Sequence, residues 1–172
     1  MTYTIRDEQE QDFAPISALL QKAFENHPYS INNEHLIVMA LREANALTLS
    51  CVALDDQQGH VVGHIAFSPA QLDGVFDGWH TLGPLAVLPE YQRKGIGQEL
   101  IRHGLERLQG LGANGCILVG DPGYYTRFGF KSYPQLAVEG IPPENLMAYS
   151  LTGKVPAGQV THHDASIFNN IV

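Results

Sequence analysis

The sequence predicts a mixed α/β fold in a single domain. Two segments, 12–24 and 96–110, carry apolar residues at the three- and four-residue spacing of amphipathic helices. Short apolar runs of strand length, such as 47–54 and 60–67, alternate with these helical segments. The 172 residues have room for one full hydrophobic core. Strands and helices that follow one another over this length indicate a mixed α/β domain.

The first third of the chain predicts a strand followed by two helices. Tyr3–Arg6 is the strand, and the segment 12–24 forms the first helix through Phe13, Ile16, Leu19, Leu20, Ala23 and Phe24. Asn32 and Asn33 are residue types that favour the N-cap of a second helix. The inward positions expected for that helix are Leu36, Ile37, Ala40 and Leu41.

The middle of the chain predicts a hairpin, a loop, a strand and a long helix. The runs 47–54 and 60–67 flank a polar turn, while the segment 70–78 is rich in Gly and Asp and is predicted to be a loop. A strand over 79–87 contains Pro84, so it is expected to be bulged or to lie at an edge. The following helix is expected to stop at Gly110-Leu111-Gly112.

The last third predicts short elements that belong to the same domain. Segments that read as strands are 115–119, 130–138, 147–151 and 159–162, with a short helix near 124–128. One domain over 1–172 is predicted, with a core over about 3–138. The segment from about 139 to 172 is expected to pack on that core.

Composition and charge exclude several classes of protein. The formal net charge of −8 argues against a nucleic-acid-binding protein, which usually has a basic face. No apolar run reaches the roughly 18 residues that a membrane span needs, and the first residues lack signal-peptide order. A cytoplasmic protein with no membrane partner is therefore expected. Cys51 and Cys116 lie in apolar runs, which predicts buried free thiols.

The most informative segment of the chain is 82–100, where an apolar strand leads through a basic turn into a helix. The turn contains Gln92, Arg93 and Lys94, and Gly95 and Gly97 open the helix. Glycines at a helix start let a ligand approach the backbone, and the first N–H groups of a helix have no helical partner. Together with the helix dipole, these groups favour phosphate oxygens. The segment therefore predicts a pyrophosphate-binding turn.

Two common phosphate-binding motifs do not fit this segment. A P-loop requires G-x-x-x-x-G-K-[ST], which occurs nowhere in the chain. The dinucleotide-binding motif requires a third glycine where this chain has Leu100. A nucleotide-binding protein is therefore disfavoured.

A different family matches the same residues. Gln92-x-x-Gly95-x-Gly97, placed after Leu85-Ala86-Val87, resembles the acyl-CoA-binding motif of the GCN5-related N-acetyltransferases. The family's Tyr-x-x-x-Gly-Phe sequence is matched by Tyr125, Gly129 and Phe130, and the first strand and helix are also similar. The resemblance implies a mostly antiparallel twisted sheet with one splayed parallel strand pair and helices on both faces.

The resemblance also implies acetyl-CoA as co-substrate. Its pantetheine arm would enter the split beside the strand 79–87 and pair with free backbone groups of Leu85 and Val87. Asp121 stands where many relatives have Asn, and an Asp before a proline is equally typical of a turn. The predicted cofactor-binding residues are Leu85, Ala86, Val87, Gln92, Arg93, Lys94, Gly95, Ile96, Gly97, Gln98, Asp121, Tyr125 and Phe128.

Acyl transfer to an amine requires a donor for the oxyanion, a proton for the leaving thiolate and a base. The resemblance assigns the oxyanion donor to the backbone N–H of Val87 and the acid to Tyr125, whose phenol is protonated at neutral pH. The base stays open between His80, Glu34, Glu25 and water. No metal is expected: His162 and His163 are adjacent in a predicted strand and would face opposite sides.

The predicted function is transfer of an acyl group from acyl-CoA to an amine of a small molecule or peptide, by direct attack in a ternary complex. The alternative is a non-catalytic acyl-CoA sensor, which would have no need of Tyr125. A homodimer is left open. The acceptor amine cannot be identified from the sequence.

Overall fold

The computed structural model describes residues 2–162 and 170–171. The strands are β1 (Tyr3–Asp7), β2 (Leu49–Asp55), β3 (Val61–Leu72), β4 (Val75–Val87), β5 (Gly115–Val119), β6 (Leu136–Ala137), β7 (Leu146–Ser150), β8 (Gly158–His162) and β9 (Asn170–Ile171). The helices are α1 (Phe13–Ala23), α2 (Glu34–Glu43), α3 (Ile96–Gly110) and α4 (Pro122–Tyr125). No helix among the described residues is long and apolar enough to cross a bilayer.

The main sheet has the strand order β1-β2-β3-β4-β5-β7, and most of its pairs are antiparallel. The central pair β4 and β5 is parallel, but only Trp79–Thr81 of β4 meets β5. Beyond Thr81 the two strands diverge while β4 continues to Val87. This splayed pair confirms the predicted fold class.

Helices cover both faces of the sheet because β2 alternates its side chains between two apolar layers. Cys51 and Ala53 pack in a layer with α3, whereas Val52 between them packs in a second layer with α1 and α2. Helix α3 lies very close to the sheet, and a Cβ on Gly104 would overlap the ring of Phe67. Cys51 and Cys116 are buried free thiols, as predicted.

The predicted loop at 70–78 is instead the tip of a long β-hairpin. Strands β3 and β4 pair as far as Leu72 with Val75. The two residues between them, Asp73 and Gly74, have φ angles of 52° and 80°. An Asp-Gly pair with positive φ is typical of a tight hairpin turn. The high Gly and Asp content therefore marked a two-residue turn rather than a loop.

Two other local predictions were wrong. The expected strand 130–138 is reduced to β6, which pairs in parallel with β8, and to a single bridge between Lys131 and Ala148. The helix α2 is present, but Leu36 is 55% exposed and Ala40 is also exposed, while Val38 is buried. The inward face of α2 is therefore formed by Ile37, Val38 and Leu41 rather than by the predicted set.

Candidate active site

The turn before α3 has the geometry expected for an anion site. Gly95 is the N-cap residue and has a φ of 86°, which is favourable for glycine and strained for other residues. The N–H of Glu99 donates to the carbonyl of Gly95 at 3.1 Å. The N–H groups of Ile96, Gly97 and Gln98 precede this bond and therefore lack acceptors within the helix. Three backbone donors are thus gathered at the positive end of α3.

Two exposed cations border these donors. Arg93 has a φ of 63°, so the chain turns sharply just before the glycine. The Nζ of Lys94 lies 5.6 Å from the centre of the Tyr91 ring. The Tyr91 hydroxyl donates to Asp55 at 3.0 Å, which raises the pKa of the phenol and fixes the turn against the end of β2. A fixed turn places both cations beside the helix N-terminus.

Gln92 connects this turn to the end of β4. Its side-chain amide donates to the carbonyl of Val87 at 3.0 Å, and the N–H of Leu88 donates to the carbonyl of Val62 on β3 at 2.9 Å. In an antiparallel pair, successive residues direct their backbone groups to opposite sides. The backbone groups of Leu88 and Ala86 therefore face β3. Those of Leu85 and Val87 face the split, the gap that opens where β4 and β5 diverge beyond Thr81.

The prediction that the backbone groups of β4 facing the split are free was wrong for Leu85. Strand β9 pairs with β4 in parallel, with Leu85 opposite Asn170 and Ala86 opposite Ile171. The split is therefore lined by a backbone segment of the chain itself. The roles predicted for Leu85, Ala86 and Val87 toward a cofactor stay predictions.

Tyr125 lies at the end of α4 and is 3% exposed. Its ring packs edge-on against Tyr124 and Phe130, with centroids 4.9 and 5.7 Å away. Gly120 makes room for it, because a Cβ there would lie 2.6 Å from the Tyr125 ring. Sequence reasoning missed this role of Gly120, although a glycine directly after a buried strand could have indicated it. The packing fixes Tyr125 and leaves Tyr124 half-buried, with Arg127 stacked 4.7 Å from its ring centre.

Asp121 has a structural role in the same turn. Its carboxylate accepts a hydrogen bond from the Gly123 N–H at 2.9 Å and so caps α4. This geometry accounts for the Asp-Pro pair as a helix start. Phe128, also predicted to contact the cofactor, packs edge-on against Tyr124 with the ring centroids 5.2 Å apart.

The three side chains considered as base differ in their surroundings. Glu34 is 1% exposed and accepts from the Ser30 hydroxyl at 2.7 Å, at the start of α2. Glu25 is exposed and pairs with Lys22 at 3.2 Å. His80 is paired with Cys116 and is seven residues before Val87, a separation of about 20 Å along a strand. This distance argues against His80 as the base for chemistry at Val87.

A partly buried polar network that the sequence did not indicate begins opposite Ala86. His64 pairs with Ala86 across the β3–β4 ladder, and its Nε2 lies 2.8 Å from the Ser50 hydroxyl. Ser50 donates to Glu8 at 2.5 Å, and Glu8 also accepts from Arg42 at 2.9 Å. Because Ser50 gives its proton to Glu8, His64 has to donate from Nε2. Burial lowers the pKa of His64 to about 4, so the ring is neutral at pH 7.

Neither cysteine is suited to be a nucleophile. Burial, together with the charge of Asp7, raises the pKa of Cys51 to about 12, and burial also raises the pKa of Cys116. Among the described residues, Asp7, Cys51 and His103 bring potential metal-ligand atoms within 4.8 Å of one another, but Asp7 already forms an ion pair with Arg107. His163 lies outside the described residues, so the histidine pair considered for a metal is not described.

Comparison with known proteins identifies the family of the chain. A family model described as "Acetyltransferase (GNAT) family" matches residues 5–130. The N-acetyltransferase YhbS of Escherichia coli K12 is 39% identical over 127 residues, which cover 74% of this chain and 72% of YhbS.

Two solved structures share the fold over nearly the whole chain. A GNAT family acetyltransferase from Brucella melitensis, in complex with acetyl-CoA, has a TM-score of 0.84 and 46% identity, and the match covers 95% of this chain and 97% of that one. YhbS from Escherichia coli in complex with CoA has a TM-score of 0.85 and 33% identity, with coverage of 95% and 91%. The chain therefore belongs to the GNAT family of acetyltransferases.

Proposed function

We propose that this protein transfers the acetyl group of acetyl-CoA to a primary amine of a small molecule or peptide. The observation that carries the proposal is the arrangement at the end of β4. The backbone groups of Leu85 and Val87 face the split. The side chain of Gln92 bonds to Val87 and so connects this end of β4 to the turn where the N–H groups at the start of α3 are gathered. An acyl-CoA needs both features, one for its pantetheine arm and one for its pyrophosphate.

The residues before and at the start of α3 offer donors and positive charges that complement the phosphates of this co-substrate. The N–H groups of Ile96, Gly97 and Gln98 would bind the pyrophosphate, with Arg93 and Lys94 as neighbouring cations. Acetyl-CoA supplies an activated acyl group when bound. The complexes of the Brucella melitensis and Escherichia coli relatives with acetyl-CoA and CoA support this assignment.

The chemistry proposed is direct attack. The neutral amine nitrogen forms a bond to the thioester carbon, the N–H of Val87 donates to the developing oxyanion, and the C–S bond then breaks. The hydroxyl of Tyr125 gives a proton to the leaving thiolate, and the amine loses its proton to Glu34 or to water. A route through a covalent acyl-cysteine is disfavoured because Cys51 and Cys116 are buried and their raised pKa values keep both thiols protonated.

Calorimetry with acetyl-CoA, ATP and NAD tests the cofactor, and thiol release with a panel of amines, peptide N-termini and polyamines tests turnover. Acetyl-CoA alone should bind, and at least one amine should accelerate thiol release. Binding with no turnover for any amine would favour the acyl-CoA sensor instead. Binding of ATP or NAD in preference to acetyl-CoA would contradict the proposal.

Tyr125→Phe tests the chemical role, with Tyr124→Phe as a matched control from the adjacent position. The ring of Tyr125 and its packing are retained, so acetyl-CoA affinity should change little. Turnover should fall by roughly ten- to a thousand-fold, because a hydroxyl that acts in the transition state is lost. The loss should be smaller for acyl donors whose leaving thiol has a lower pKa. Parent-like turnover in Tyr125→Phe would show that this tyrosine is structural.

A further inference from the structure

Strand β9 occupies the same edge of β4 that the proposed function assigns to the cofactor. Asn170 and Ile171 run parallel to Leu85 and Ala86, on the side of β4 where β5 has diverged. In the part of the chain that the structure describes, β3 occupies the other side of β4 over these residues, so β9 and an added chain would have to use the same side.

The register defines which backbone groups β9 uses. Leu85 and Val87 direct their N–H and C=O groups into the split, since the bond from Leu88 to Val62 fixes the alternation along β4. In a parallel ladder with Ala86 opposite Ile171, the Ile171 N–H faces the Leu85 carbonyl. The Ile171 carbonyl faces the Val87 N–H. A peptide carbonyl is thus directed at the donor that would bind the thioester oxygen.

We propose that the segment 170–171 is an intramolecular competitor of acyl-CoA, an inference that rests on the proposed function. A backbone N–H or C=O in the split can pair with β9 or with a bound acyl-CoA, but not with both. The cofactor therefore binds only molecules in which β9 has left β4. Among the described residues the pairing covers two positions, and an acyl-CoA that binds the same backbone groups would have to displace it. The apparent dissociation constant is the intrinsic one divided by the fraction of molecules with an open edge.

Proline substitutions in the full chain test the competition. Ile171→Pro removes the N–H that faces Leu85, whereas Asn170→Pro removes one that points away from β4 by the same alternation. Calorimetry with acetyl-CoA should give Ile171→Pro a dissociation constant about two- to tenfold lower than the parent. Asn170→Pro should bind like the parent. Equal thermal unfolding midpoints would show that all three proteins are folded alike.

The other outcomes each have a defined meaning. Equal affinities of the three proteins for acetyl-CoA would overturn the competition and leave the proposed function intact. Weaker binding by Ile171→Pro, or equal tightening by both prolines, would also overturn it, because backbone pairing at residue 171 would not be the cause. Absence of acetyl-CoA binding in all three would refute the proposed function itself, and the competition with it.

Discussion

The buried imidazole of His64 should make this protein lose stability in mild acid. His64 is 0% exposed, and burial lowers its pKa from 6.5 to about 4. The unfolded chain takes up a proton near pH 6.5, whereas the folded protein does so only near pH 4. As the pH falls between these values, protonation favours the unfolded state, so stability present above pH 6.5 is lost progressively toward pH 4.

The size of the loss follows from the difference between the two pKa values. Each unit corresponds to about 1.4 kcal/mol, so the full effect on the free energy of unfolding is about 3 kcal/mol. Between pH 7 and pH 5 the same linkage removes about 2 kcal/mol. This is a large part of the roughly 5–15 kcal/mol typical of a natural domain.

His64→Gln is the matched variant. The Gln amide can still donate to Ser50, as His64 Nε2 does, but it has no proton to gain in this range. Urea unfolding of both proteins at pH 7, 6 and 5 gives the free energy of unfolding at each pH. The difference between parent and variant should shrink by about 2 kcal/mol toward pH 5, because other titrations such as that of Asp12 cancel. Parallel curves for the two proteins would refute the assignment of a buried neutral imidazole.

Two further changes test the turn and the helix at the candidate site. Replacing Arg93 and Lys94 together by Gln should weaken acetyl-CoA binding several-fold at low salt and less at high salt, because salt screens exposed charges. Calorimetry at two salt concentrations measures this effect. If the loss of affinity did not depend on salt, the backbone N–H groups alone would be responsible for phosphate binding. Gly104→Ala should lower the free energy of unfolding by about 1–3 kcal/mol in urea titrations, since the added Cβ would overlap the Phe67 ring. An unchanged free energy of unfolding would show that α3 can move away from the sheet.

The sequence predicted those features whose cause is local. The long helix α3 and its end at Gly110 follow from side-chain periodicity and from the glycines that border the helix. The bulged strand with Pro84 was predicted for the same reason, and the register between β3 and β4 shifts there. At 70–78 the local signal is present as well, but Asp73-Gly74 forms a tight hairpin turn rather than part of the predicted loop.

Contacts between distant segments were decided only by the tertiary structure. The network of Glu8, Arg42, Ser50 and His64 joins two strands, a helix and the residue directly after β1, and no spacing in the sequence indicates that these side chains meet. The expected strand at 130–138 was replaced by short pairings, because the available partners there are β7 and β8.

The features of the candidate site fall into the same two groups, those predicted from the local sequence and those decided by the tertiary structure. The turn proposed to bind pyrophosphate is encoded by consecutive residues, since the first N–H groups of any helix have no acceptor within that helix. The accessibility of the β4 edge depends instead on a segment 85 residues further along the chain, which pairs with Leu85 and Ala86. Backbone hydrogen bonds between strands do not depend on particular side chains, so the sequence does not indicate this pairing. The sequence determined which chemical groups the candidate site contains, and the packing of the chain determined which segment lies against β4.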